Sequence, residues 1–106
     1  MNTILHFDSS YQTQQLANLL TAAQFDLTGM DGVRGYCDEA SAAAIRNLLA
    51  DIDPSGMHFL GSGNYHYMSL FFLEKLTVPF SLVVFDHHTD MQPSMFGDLL
   101  SCGSWI

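Results

Sequence analysis

Hydrophobic positions along this chain change period from segment to segment, and the changes predict alternating strands and helices. Residues 3–7 form a short apolar run, read as a first strand, and Ser9 and Ser10 offer N-caps for a helix after it. Over residues 11–23, Leu16, Leu19, Leu20 and Ala23 fall at i, i+3, i+4 and i+7, one face of a helix. Residues 24–35 are punctuated by Gly29, Asp31-Gly32 and Gly35 and read as a loop with a turn. A second helix is expected over 38–50, where alanines favour it and Ala44, Ile45, Leu48 and Leu49 make an apolar stripe. Asp53-Pro54-Ser55-Gly56 ends it, 57–60 reads as a second strand, and Gly61-Ser62-Gly63 stops that strand.

Residues 65–76 are apolar on every side, through Met68, Leu70, Phe71, Phe72, Leu73 and Leu76, which predicts a buried helix. After Pro79, the run Phe80-Ser81-Leu82-Val83-Val84-Phe85 has no alternation, as expected of a strand covered on both faces. Strand, helix, strand, helix, strand implies βαβ units and a mainly parallel sheet. Three strands are few for such a fold, and the chain ends on apolar Ser104-Trp105-Ile106. The pattern therefore reads as one partial α/β domain over 1–106, the first part of a larger one.

Composition narrows the function. Three Lys and Arg stand against 11 Asp and Glu, a net charge of −8, which argues against a nucleic-acid or anionic-membrane surface. No run reaches the ~20 apolar residues of a membrane helix. The N-terminus has no basic region followed by a long apolar one, so a cytoplasmic protein is expected. Cys37 and Cys102 form no C-x-x-C pair and read as free thiols.

The chemistry concentrates in Asp86-His87-His88-Thr89-Asp90, directly after the strongest predicted strand. Open α/β sheets place ligand sites beyond the carboxyl ends of their strands. Asp86, His88 and Asp90 stand at i, i+2 and i+4, a spacing that aims three side chains at one point in an extended loop. Two carboxylates and an imidazole suit Mn²⁺, Fe²⁺ or Zn²⁺. A polar strand-to-loop junction with a surface histidine is the plainer alternative. His66 follows Gly61-Ser62-Gly63-Asn64-Tyr65, a loop expected to face Asp86–Asp90 across a crevice. A structural hydrogen bond at a helix start is the plainer reading of His66. His6 and His58 fall within predicted strands and read as structural, and His87 as packing or support for the ligands.

Gly61-Ser62-Gly63-Asn64-Tyr65-His66, Asp86-His87-His88-Thr89-Asp90 and Ser101-Cys102-Gly103-Ser104, in this order, resemble the ureohydrolase family of arginase, agmatinase and formiminoglutamase. The resemblance is good over 57–106 and rests on the β/α pattern alone before that. It implies a three-layer α/β/α, arginase-like fold and two Mn²⁺ ions, with one ion or none for this chain alone. By it, His66 and Asp90 would ligate one metal, His88 the other, and Asp86 both. Cys102 would lie at the substrate. The implied reaction is hydrolysis of a guanidino or related C–N carbon of a small-molecule substrate, with two metals lowering the pKa of a bridging water.

The chain departs from the family in three ways. It has no later D-x-D motif, Cys102 replaces the histidine of the S-H-G segment, and Gly63-Asn64-Tyr65-His66 lacks the usual acidic neighbour.

Three other readings compete. Phosphoesterases with an Asp-His-His motif share the strand and motif, but His6-Phe7-Asp8-Ser9 does not supply their upstream cluster. Deacetylases of arginase-like fold fit the Asp86/Asp90 spacing less well. A catalytically silent, truncated metal-binding remnant would expose a sheet edge and form homo-oligomers.

Overall fold

Ile4 and Leu5 are fully buried, and they set the centre of the fold. They belong to strand β1 (Thr3–His6), which pairs in parallel with β2 (Ala23–Asp26) on one side and β4 (His58–Phe59) on the other. The computed structural model describes residues 1–12, 14–15, 21–93, 97 and 99–106. Among them, a second, two-stranded sheet pairs β3 (Tyr36–Cys37) antiparallel with β5 (Leu100–Ser101). No helix among these residues is long and apolar enough to cross a membrane.

The expected helix over 38–50 is present as α1 (Glu39–Leu48). Asp38 caps it, its carboxylate accepting from the Ser41 N–H at 2.7 Å. Gly32 turns beneath this cap at φ +69°, and a side chain there would strike the Asp38 carboxylate. Ala42, Ile45 and Leu49 face the core. Lys75 Nζ donates to the carbonyls of Leu49 and of Ile52, the latter at 2.7 Å, satisfying backbone acceptors past the helix end.

The apolar stretch 65–76 is shorter as a helix than its composition predicts. A 3-10 turn (Gly63–Tyr65) leads into α2 (Met68–Leu73). Burial is as expected for Met68, Phe71 and Phe72. Gly61, at φ +95°, reverses the chain after β4, and a Cβ there would press on the Tyr65 ring at 3.2 Å. Tyr65 stacks on Phe7 with ring centroids 4.2 Å apart, fixing the turn over the carboxyl end of β1.

Two expectations need correction. Residues 24–35 are not wholly loop, because Ala23–Asp26 form β2; Phe25 tucks against the core and a parallel neighbour outweighs the nearby glycines. Of the helix expected over 11–23, residues 13 and 16–20, with Leu16, Leu19 and Leu20, lie outside the described residues, and its last member, Ala23, begins a strand.

The larger correction is residues 80–85, which are not a strand. Among the described residues the parallel sheet ends at β4, and an extended run becomes a strand only with a ladder partner. Leu82, Val83, Val84 and Phe85 instead border a cleft beside His58, Leu60 and Phe72. Phe85 is 99% exposed. The result is a small α/β unit with a three-stranded parallel sheet.

Candidate metal centre

His66 is carried at the carboxyl side of β4 by the 3-10 turn, whose last backbone bond runs from the His66 N–H to Gly63 O at 3.2 Å. Its ring lies where the 86–90 loop folds back. His66 Nδ1 is 3.3 Å from Asp86 Oδ2 and 3.2 Å from Asp90 Oδ2. These three residues each offer a ligand atom within 4.8 Å of the others. Their cleft has a volume of about 740 Å³, and Gly63, His88, Cys102 and Gly103 also line it.

The spacing fits a cation. Donors at adjacent corners of an octahedral ion, each about 2.1 Å from it, stand about 3.0 Å apart. A direct charge-assisted bond between imidazolium and carboxylate closes to about 2.7–2.9 Å. The observed 3.2 and 3.3 Å are longer than such a bond and stand at the outer edge of a neutral N–H···O contact, a spacing that a cation can share. One imidazole nitrogen with two carboxylate oxygens is also a donor set for Mn²⁺, Fe²⁺ or Zn²⁺.

Asp86 divides its oxygens. Oδ1 accepts from the His88 backbone N–H at 3.0 Å and lies 3.1 Å from His88 Nδ1, while Oδ2 faces His66. The N–H of His88 is the main influence holding the Asp86 carboxyl below its ordinary pKa, with the His88 and His66 rings assisting against some burial. His88 itself is 83% exposed and stands outside the three-residue group. His87 lines the cleft wall.

Asp90 is anchored differently. It is buried, and its backbone takes a left-handed conformation at φ +56°, which Asp tolerates better than most residues. Its Oδ2 accepts from the Trp105 indole N–H at 2.8 Å, and its carbonyl accepts from the Ile106 N–H at 3.0 Å. The β3–β5 pairing brings the 100–106 segment to this position, aided by Cys102 N–H to Gly35 O at 3.0 Å and Gln92 N–H to Gly103 O at 2.9 Å. Cys102 therefore reaches the cleft. Burial pushes its thiol pKa up, against the N–H groups of Tyr67 and His66 that favour the thiolate. Cys37 is buried, pushed up to about 11 mainly by desolvation, and lies away from this cleft. Both cysteines are free.

Of the four expected metal residues, His66, Asp86 and Asp90 come together, and His88 touches only the far oxygen of Asp86. His6 and His58 are structural: His6 Nε2 is 2.9 Å from Gln24 Oε1, and His58 bridges Thr3 Oγ1 and the Pro54 carbonyl, each at 2.8 Å. Sequence reasoning assigns Trp105 only to an apolar terminus and misses its bond to Asp90. A buried carboxylate needs a donor, and a lone Trp near the motif was the available signal.

A protein of Thermotoga maritima described as an uncharacterized protein is 35% identical over 105 residues. The match takes in 97% of this chain, which spans 40% of that relative's length. No protein-family model matches the chain, and no solved structure matches it.

Proposed function

We propose that this chain carries the first ligands of a ureohydrolase-like, metal-dependent hydrolase. One observation carries the reading: His66 Nδ1 lies 3.3 Å from Asp86 Oδ2 and 3.2 Å from Asp90 Oδ2, and the three residues each offer a ligand atom within 4.8 Å of the others. Mn²⁺ is the metal that the family resemblance implies, and a bound pair of ions would supply an activated water for attack on a guanidino or related C–N carbon. The chain's own residues would hold the cations, and the cleft that Gly63, Gly103 and Cys102 also line leaves room for a small substrate. The described ligands are too few to enclose two ions, so the chain alone is expected to be inactive on a small guanidino substrate.

Calorimetric titration with MnCl₂ tests this. At least one ion per chain is expected, with binding abolished in Asp86→Ala. Unchanged affinity in that variant overturns the metal assignment. Two tightly held ions per chain would overturn the incompleteness of the site. Cleavage of a phosphodiester, instead of arginine, agmatine or formiminoglutamate, would transfer the reading to the Asp-His-His phosphoesterases.

A second reading has its own observation. The unpaired, exposed run 80–85 directly precedes the motif and suits a silent remnant that binds one ion weakly. Millimolar rather than micromolar Mn²⁺ affinity would favour it.

A further inference from the structure

Asp90 is the ligand whose burial needs explaining. A carboxylate taken from water must be paired or bonded to donors. Only 3% of Asp90 remains exposed. Its Oδ2 lies against two groups, His66 Nδ1 at 3.2 Å and Trp105 Nε1 at 2.8 Å. A cation accepted at this site would take the place of direct contact with His66. Trp105 would then remain as the donor that fixes the oxygen.

The same indole has a second contact. Its ring lies against the His66 imidazole, centroids 5.1 Å apart and planes tilted by 58°. One buried side chain thus touches two of the three ligands, gripping one by hydrogen bond and the other by ring packing. The backbone beside it closes the grip, because the Ile106 N–H donates to the Asp90 carbonyl at 3.0 Å. That bond helps hold Asp90 in its left-handed conformation.

Resting on the cation reading above, we propose that Trp105 is the positioning residue of this site: its N–H holds Asp90 Oδ2 in place as a metal donor and its ring sets the plane of His66. Hydrogen bonds of this kind to ligating groups are worth about 10- to 100-fold in metal affinity. The Trp N–H can donate and cannot accept, so it orients a carboxylate without competing for the cation.

The chain has a single Trp, so its emission reports this contact alone. In the wild-type chain, MnCl₂ or ZnCl₂ is titrated while heat and indole emission are followed together. The expected result is an emission change with the same midpoint as the heat. Heat without any emission change overturns the proposal. Neither signal means that the cation reading itself has failed.

Trp105→Phe keeps a ring beside His66 and removes the N–H. Replacement of the indole by its benzothiophene isostere removes the N–H at almost unchanged shape. Each is expected to lose about 10- to 100-fold in Mn²⁺ affinity. The isostere should lose it while still folding cooperatively without metal, at a melting point lowered because the buried carboxylate has lost its donor. Wild-type affinity in the isostere overturns the proposal, because a merely structural ring would serve equally well.

Discussion

The two ends of the Asp86–Asp90 loop are built on opposite principles. Asp90 is buried, held by Trp105 and Ile106, and turned inward by a left-handed backbone. Asp86 comes after an exposed run and draws its order from a local bond to His88, with one longer approach to His66. The first end is preorganised by tertiary packing; the second is a local turn carried on a segment that buries little. A metal site is as tight as its least supported ligand allows. On the proposed cation reading, the difference locates the weakness of the site in Asp86 rather than in Asp90.

The contrast breaks most sharply in the core. Phe71 is 1% exposed, meets Tyr67 edge-on and lies under the Arg46 guanidinium at 4.9 Å. Phe71→Ala should cost about 3–5 kcal/mol in urea unfolding. Phe85→Ala, in the exposed run, should stay within about 0.5 kcal/mol. Equal losses would mean that residues 80–85 are packed in solution and would erase the contrast.

The carboxylates sharpen it next. Asp90→Ala leaves the buried indole N–H without its acceptor, at a cost of about 1–3 kcal/mol in thermal or urea unfolding. Asp86→Ala should leave the metal-free melting curve in place. Both variants should lose Mn²⁺ binding. If Asp86→Ala destabilises the metal-free chain as much as Asp90→Ala, the exposed end is supported by contacts beyond its own turn.

Much of this was legible in the residues. The alanines and the stripe of Ile45 and Leu49 are enough for a helix, because both signals are local; the Asp38 cap emerges only in the structure. Asp86 and Asp90 were legible through their short spacing, but the same spacing placed His88 beside them, whose side chain is 83% exposed and outside the group, while His66 joins them from a separate segment. Residues 80–85 were misread because a doubly apolar strand is defined by neighbours on either side, and composition cannot say whether those neighbours are there. β2 was missed although Ala23-Gln24-Phe25-Asp26 alternates apolar and polar and its burial alternates with it, because a period of four residues is short beside the glycines that follow and only pairing with β1 makes it a strand. The antiparallel β3–β5 pair joins segments more than sixty residues apart, so no local period could reveal that Trp105 reaches Asp90.

The smallest effect concerns a device that the Asp86 end shares with three other aspartates. Asp8, Asp26 and Asp53 each accept from the backbone N–H and hydroxyl two residues on, at Ser10, Thr28 and Ser55. Asp86 repeats the turn with the His88 ring in place of the hydroxyl. In Asp26 the Thr28 hydroxyl, then the Thr28 N–H, holds the carboxyl below its ordinary pKa. The folded chain therefore binds fewer protons there than the unfolded chain, so stability rises with pH across that window. It is fully present above the ordinary value of about 3.9 and is lost as pH falls through the lowered folded value. Asn accepts the same bonds without a charge. Asp26→Asn should thus leave unfolding at pH 7 nearly unchanged and flatten the loss of stability on acidification below about pH 4. Unfolding midpoints measured from pH 6 to pH 2 check this; an unaltered acid slope would show that the turn persists in the unfolded chain and that its carboxylate never distinguished the two states.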